Sequence, residues 1–402
     1  MEFRAANYCR HVASEMRSRL FYSIQRLSDS WKKKIATNRV LNITASELAS
    51  VRDIPGLDGL RAVSVLIVMI DHSRILPKFP GGFGVTVFFF ISGFIITTLL
   101  LRELRRSESI DLRNFYIRRL LRLYPASFFF VLTVFASGLM LGHQVAITQF
   151  AGAVFYFVNY LNVFGPSLVA PELSHFWSLA VEMHFYLFFP FLLIFCAQRE
   201  HIIPVVLSVV IVASLLFRFA GALMWPHLAE PYTYQATECR IDIIAFGALL
   251  ATLLHSPNGE RFAQAISHPA VFAGGVAILI FTMAWRNELF RLTLRYSLQG
   301  VALMAILTAC VFGRRYLYIW GQYILNSRPF VYTGYISYSL YLWNILCLSA
   351  AIVLLGPSRS GLGVFFGWLL TFVAASCSYE LLEKPIVKLR RRFGSSPRAY
   401  AS

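Results

Sequence analysis

The stretch GLDGLRAVSVLIVMIDH, Gly56 to His72, decides the fold class. Between Arg61 and Asp71 lie nine residues of which only Ser64 is polar. A bilayer-crossing helix needs ~20 mostly apolar residues, and this run, taken as 59–76, is the first of eleven candidates. The others lie near 83–101, 124–142, 148–164, 176–197, 202–222, 241–255, 269–285, 294–313, 329–355 and 362–382. Of the 402 residues 57% are hydrophobic and 14% charged. Soluble domains carry ~25% charged residues, so this chain cannot coat a water-facing globule of its size. The reading is all-α: a polytopic transmembrane helix bundle.

Basic loops set the direction of threading, because Lys and Arg accumulate on the cytoplasmic side. The segment 102–122 holds Arg102, Arg105, Arg106, Arg113, Arg118, Arg119 and Arg122, which places it inside. Arg314, Arg315 and Arg328 place 314–328 inside, and Lys384, Lys388 and Arg390 to Arg392 do the same for the tail. Ten crossings return both basic ends to the cytoplasm; eleven do not. The weakest run is 148–164, which ends in Asn159, Asn162 and Gly165. It is expected to be a re-entrant or peripheral helix, where irregular backbone is tolerated under protein cover. The expectation is about ten spans plus that one. The acidic stretch 226–239 then falls outside, while Arg286 and Arg291 fit that side poorly.

Three parts follow: a basic cytoplasmic segment 1–55, a transmembrane domain 56–385 and a basic cytoplasmic tail 386–402. The net charge of +17 sits mainly at the two ends and between apolar runs, which points to lipid headgroups and excludes nucleic acid as a partner. The first fifty residues contain Lys32 to Lys34 and no apolar run of signal-peptide length. The six cysteines show neither a CxxC pair nor a Cys/His ligand spacing, so no metal site is expected.

Ionisable side chains inside spans are costly and commonly mark pathways. Arg61 and His72 stand eleven residues apart, close to three turns, so they share a helix face ~16 Å apart along the axis. Pocket residues, or a snorkelling Arg with an interfacial His, both fit that spacing. Arg119 and Arg122, at i and i+3, suit bidentate phosphate capture or plain cytoplasmic anchoring. Glu182 lies in the apolar helix of HFWSLAVEMHFYLFFP, two turns from His175. A carboxylate there is either functional or paired with a neighbouring Arg. Arg240 and Asp242 enter a helix from the outer side, where they line a polar vestibule or pair with each other or with headgroups. Trp177 and Tyr186 suit stacking on a sugar or an interfacial belt.

In order along the chain, these motifs resemble the membrane-bound acyltransferase family 3. The resemblance covers about Gly56 to Pro385. It rests on Arg61 with ten residues before His72, Arg119-Leu-Leu-Arg122 followed by Leu-Tyr-Pro125, and Trp177-Ser178-Leu179 with Glu182. Arg240 and Asp242 before Gly247, Ile336-Ser-Tyr338 leading to Tyr341-Leu-Trp343, and Glu383-Lys-Pro385 complete it. One departure is Asn344, where members often have His after the aromatic run. Asn hydrogen-bonds but takes no proton at neutral pH. The short tail is expected to leave no room for the extracytoplasmic esterase-like domain of some relatives.

The resemblance implies O-acylation, commonly acetylation, of a surface or exported glycan, with acyl-coenzyme A as a cytoplasmic co-substrate and no permanently bound cofactor. It implies a bacterial inner membrane. Arg61, Arg119 and Arg122 are then expected to hold the donor's phosphates. His72 is expected to act as general base toward the acceptor hydroxyl, with Glu182 orienting it. Trp177, Ser178, Arg240 and Asp242 are assigned to the acceptor side. A transporter or flippase of a lipid-linked glycan is the alternative; it too would need embedded charge and an outer vestibule, but the chain shows no inverted repeat of broken helices.

Overall fold

A computed structural model describes Leu48 and residues 54–76, 79–140, 147–166, 169–313, 316–355 and 361–386. The basic N-terminal segment apart from its last residues, Arg314, Arg315 and the tail from 387 lie outside the described residues. The described chain is helical throughout, with no strand among those residues.

Helix α1 (Leu57–Ser73) leads through a tight turn into α2 (Gly82–Ser107) and α3 (Leu112–Met140). Two short helices follow, α4 (Ile147–Val154) and α5 (Val158–Phe164), then α6 (Phe176–Cys196), α7 (Ile203–Met224), α8 (Ala229–Gln235) and α9 (Thr237–His255). Next come α10 (Gly259–Ile266), α11 (Pro269–Ala284), α12 (Glu288–Leu292), α13 (Leu294–Phe312) and α14 (Tyr316–Leu325). The last three are α15 (Arg328–Tyr335), α16 (Ser337–Leu355) and α17 (Gly361–Ser378), which runs on into a π-helical turn, Tyr379–Glu383.

Among the described residues, six helical stretches are long and apolar enough to cross a bilayer, or seven if the bent α10–α11 pair counts as one span. Length and composition thus give fewer than the ten expected, and each difference has a local cause. The stretch Pro171–Met224 counts once but contains both α6 and α7, which meet where Arg199 leaves helical geometry (φ −138°, ψ 59°). Helix α1 is 17 residues long and carries Asp58, Arg61 and Asp71. Helix α9 carries Glu238, Arg240 and Asp242. Helix α11 has 16 residues and reaches span length only together with α10. The run 329–355 is broken into α15 and α16 at Ile336, and α16 alone supplies its span. The run 148–164 divides into helices of 8 and 7 residues around Tyr156, whose φ is +59°, and neither is long enough to cross alone.

The core is set by α2, which packs along α9 and α1. At the α2–α9 crossing the two backbones touch. A β-carbon on Gly93 would lie 1.9 Å from the Ile244 carbonyl oxygen, and one on Gly247 would lie 2.0 Å from that of Phe90. Only glycine allows this approach, the usual device where helices associate by close packing in lipid. Helix α7 shows the opposite character. Val205, Val209, Val212, Leu216 and Leu223 are exposed along it, a surface suited to lipid chains. The long apolar helices make the chain an integral membrane protein.

Candidate active site

Helices α1, α6 and α16 form the site together with α2 and α3. Helix α1 runs from Arg61 to Asp71 and His72, α16 runs the same way from Tyr338 to Asn344, and α6 runs back from His175 to Glu182 and Tyr186. Between them and the neighbouring helices lie two cavities with separate linings.

The first cavity holds Arg61, Arg119 and Arg122 together with Glu182. Two converging hydroxyls, Ser92 on α2 and Tyr186 one turn beyond on α6, donate to the Glu182 carboxylate. Arg119 is buried, and its guanidinium stands over the rings of Phe115 and Tyr186, 5.6 and 5.8 Å from their centroids. Arg61 is 3.9 Å from Asp58. Glu383, in the π-helical turn, accepts from the Ser339 hydroxyl and interacts electrostatically with Arg122 and Arg61. Three guanidinium groups thus line one cavity, Arg61 and Arg122 near carboxylates and Arg119 over aromatic rings.

The second cavity is lined by Asp71, His72, His175 and Trp177, among others. Nδ1 of His72 lies 2.9 Å from Oδ1 of the fully buried Asn344. An amide oxygen there accepts the Nδ1 proton, which fixes the tautomer that leaves the Nε2 lone pair for a substrate. Asn344 therefore orients His72, the task expected of Glu182. Glu182 lines the other cavity, because its position on α6 is two turns deeper than His175. The Arg61 and His72 ends of α1 open onto different cavities, as the three-turn spacing requires.

Only Val85 and Tyr341 line both cavities. The Tyr341 hydroxyl donates to the His175 carbonyl oxygen at 2.8 Å and lies 2.7 Å from Ser178 Oγ. Ser178, expected on the acceptor side, lines the first cavity at this dividing wall. Trp177 lines the second, edge-on to Phe89 and 4.8 Å from the Tyr234 ring.

Arg240 and Asp242 do not line either cavity; both are completely buried. Asp242 pairs with Arg218 of α7 at 2.8 Å, not with Arg240. Arg218 also donates to the carbonyls of Cys239 and Thr293 and to the Ser297 hydroxyl. Arg240 sits in an aromatic cage, 3.9 Å from the Tyr296 centroid and 5.5 Å from that of Tyr234, and donates to Thr86. The sequence alone pointed to neither Arg218 nor Ser92, and it offered Tyr341 only within a motif, without a role. Tyr186 was within reach, since it follows Glu182 by four residues on the same helix face.

Comparison with known proteins agrees with this architecture. Residues 54–379 match the family model of an acyltransferase domain. The protein named "Putative O-acetyltransferase SACOL0978", from Staphylococcus aureus strain COL, is 31% identical over 358 residues, covering 84% of this chain and 58% of that protein. The O-acetyltransferase OatA of S. aureus strain NCTC 8325 / PS 47 is 27% identical over 357 residues, covering 85% and 58%. The chain thus spans 58% of the length of these curated relatives. No solved structure matches it. The matched segment takes in α1 through α17 and every residue that lines the two cavities, and on that footing the chain belongs to the acyltransferase 3 family.

Proposed function

We propose that this protein is a membrane O-acyltransferase that carries an acyl group from acyl-coenzyme A in the arginine cavity to a sugar hydroxyl in the histidine cavity. The observation that carries the reading is the pair of cavities on one helix, Arg61 at one and His72 at the other, meeting at Tyr341. Arg61, Arg119 and Arg122 hold the donor's phosphates, for which planar guanidinium groups are the best partners in this chain. The thioester arm extends past Tyr341 toward His72. Nε2 of His72 takes the proton of the acceptor hydroxyl as its oxygen attacks the thioester carbonyl, and the coenzyme A thiolate leaves. Asn344 holds the imidazole in the tautomer this requires. The relatives' names, O-acetyltransferases, support acetyl as the group transferred.

The basic loop between α2 and α3 supports reading the arginine cavity as facing the cytoplasm of a bacterial cell, with the histidine cavity toward the outer side of its inner membrane. The acceptor is then a surface or exported glycan, reached without the donor leaving the cell. The test is direct. Detergent-purified protein is given acetyl-coenzyme A labelled in the acetyl group, and surface glycans are compared by mass spectrometry with and without the gene. Label turnover with an added 42 Da per acylated sugar is the expected result (the mass of an acetyl group replacing a hydrogen, about 42). A protein that moves a lipid-linked glycan but never consumes the thioester sinks the proposal.

A further inference from the structure

The histidine cavity contains more polar chemistry than a general base needs. It is lined by one carboxylate, Asp71, and, among the described residues, by no Lys or Arg. Gly81 packs directly on Asp71: a β-carbon at 81 would lie 2.0 Å from that of Asp71, so the turn between α1 and α2 fixes the carboxylate at the cavity edge. Arg74, just beyond on the same turn, is exposed and does not line the cavity. His175, 3% exposed, lines the same cavity beside the backbone of Glu172 and Leu342. Trp177 and Tyr234 supply an aromatic wall, and Gln235 Oε1 is already taken by Asn162, 2.7 Å away, which leaves its amide hydrogens to donate.

We infer that this cavity is a subsite for an uncharged or amino-bearing sugar unit, with Asp71 as the residue that accepts from its hydroxyls and turns acidic sugars away. The inference rests on the reading of the cavity as the acceptor side. Its chemistry is that of sugar recognition: an aromatic face for the apolar side of the ring, a carboxylate for adjacent hydroxyls, and an imidazole and an amide for the rest. A uronic acid would bring a second carboxylate beside Asp71, where the described lining holds no Lys or Arg and Arg74, whose charge acts on Asp71, stands exposed outside it. Like charges in a partly desolvated cleft repel far more than in water, and exclusion of this kind is how specificity is commonly built.

The test measures binding, so that it does not depend on turnover. Saturation-transfer NMR on the detergent-purified full chain compares methyl glucoside with methyl glucuronide, and methyl galactoside with methyl galacturonide. Each pair differs only in the carboxylate. Wild-type protein is expected to favour the neutral member of at least one pair by about tenfold or more. Asp71→Asn is expected to cut that preference to about threefold or less, by admitting the uronide. Equal binding of both members by wild type, binding of neither member of either pair, or an undiminished preference in Asp71→Asn would each overturn the inference. The wild-type comparison stands even if the variant folds poorly. A chain that shows the preference yet never consumes acetyl-coenzyme A would count against the acyltransferase reading and leave the subsite intact.

Discussion

Two clusters of buried charge lie in this bundle, and they have opposite surroundings. Arg218 and Asp242 are sealed in protein, paired at 2.8 Å, with the remaining guanidinium hydrogens on two carbonyls and a hydroxyl. Arg61, Arg119 and Arg122 instead border open space beside Glu182. The first arrangement is closed and ties α7, α9 and α13 together. The second borders a cavity, which is why it is the one read as an anion site. Charge inside an apolar helix is therefore not by itself a sign of chemistry; an adjoining cavity makes the difference. Arg240 falls on the closed side, its charge met by the π faces of Tyr296 and Tyr234.

The contrast is broken most severely at His72. His72→Ala is expected to lower acetyl transfer by about 10²–10⁴-fold with the amount of protein in the membrane unchanged. Transfer at the wild-type rate would remove the base from the mechanism. Arg218→Leu should do the reverse. Stranding a buried Asp242 costs about 3–5 kcal/mol, seen as a lower melting temperature and less membrane-inserted protein. The double variant Arg218→Leu with Asp242→Leu should recover most of that loss, and a double variant as unstable as the single one would show that the pair is not a closed structural unit.

A smaller effect is expected at Arg122. Arg122→Ala should raise the KM for acetyl-coenzyme A by about tenfold, the order of one charge-assisted hydrogen bond, with normal melting behaviour. An unchanged KM would move the phosphates elsewhere. The mildest change should come from Asn344→Leu. Without its tautomer-setting partner His72 still carries a lone pair, so kcat is expected to fall by about fivefold to tenfold while the donor KM holds. A variant with full kcat would show that the 2.9 Å contact does not orient the base.

Much of this was legible along the chain. The Arg61–His72 spacing translates directly into two ends of one helix, because helical rise is fixed. The pair Arg119 and Arg122 reads the same way. What was not legible depends on which helices meet. The partner of Asp242 lies 24 residues earlier on another helix, so adjacency in sequence suggested Arg240 instead. The partner of His72 is 272 residues away, and Glu182 is held by Ser92, 90 residues before it. No periodicity encodes such pairings. Length and composition do not confirm the ten spans for a related reason: α1 and α9 are polar helices, and their charges are tolerated because neighbouring helices cover them.

The touching glycines of α2 and α9 have a consequence for how the molecule can be handled. Main chains in contact at Gly93 and Gly247 leave no play for sliding or rotation, so these two helices travel as a single strut. On the proposed mechanism, room for a thioester arm to pass would come from α16, the helix that brings Tyr341 to the wall, and not from this strut. An antibody fragment or rigid fusion clamped onto the strut is then expected to hold the protein still for imaging with turnover intact, and the same clamp on α16 to slow it.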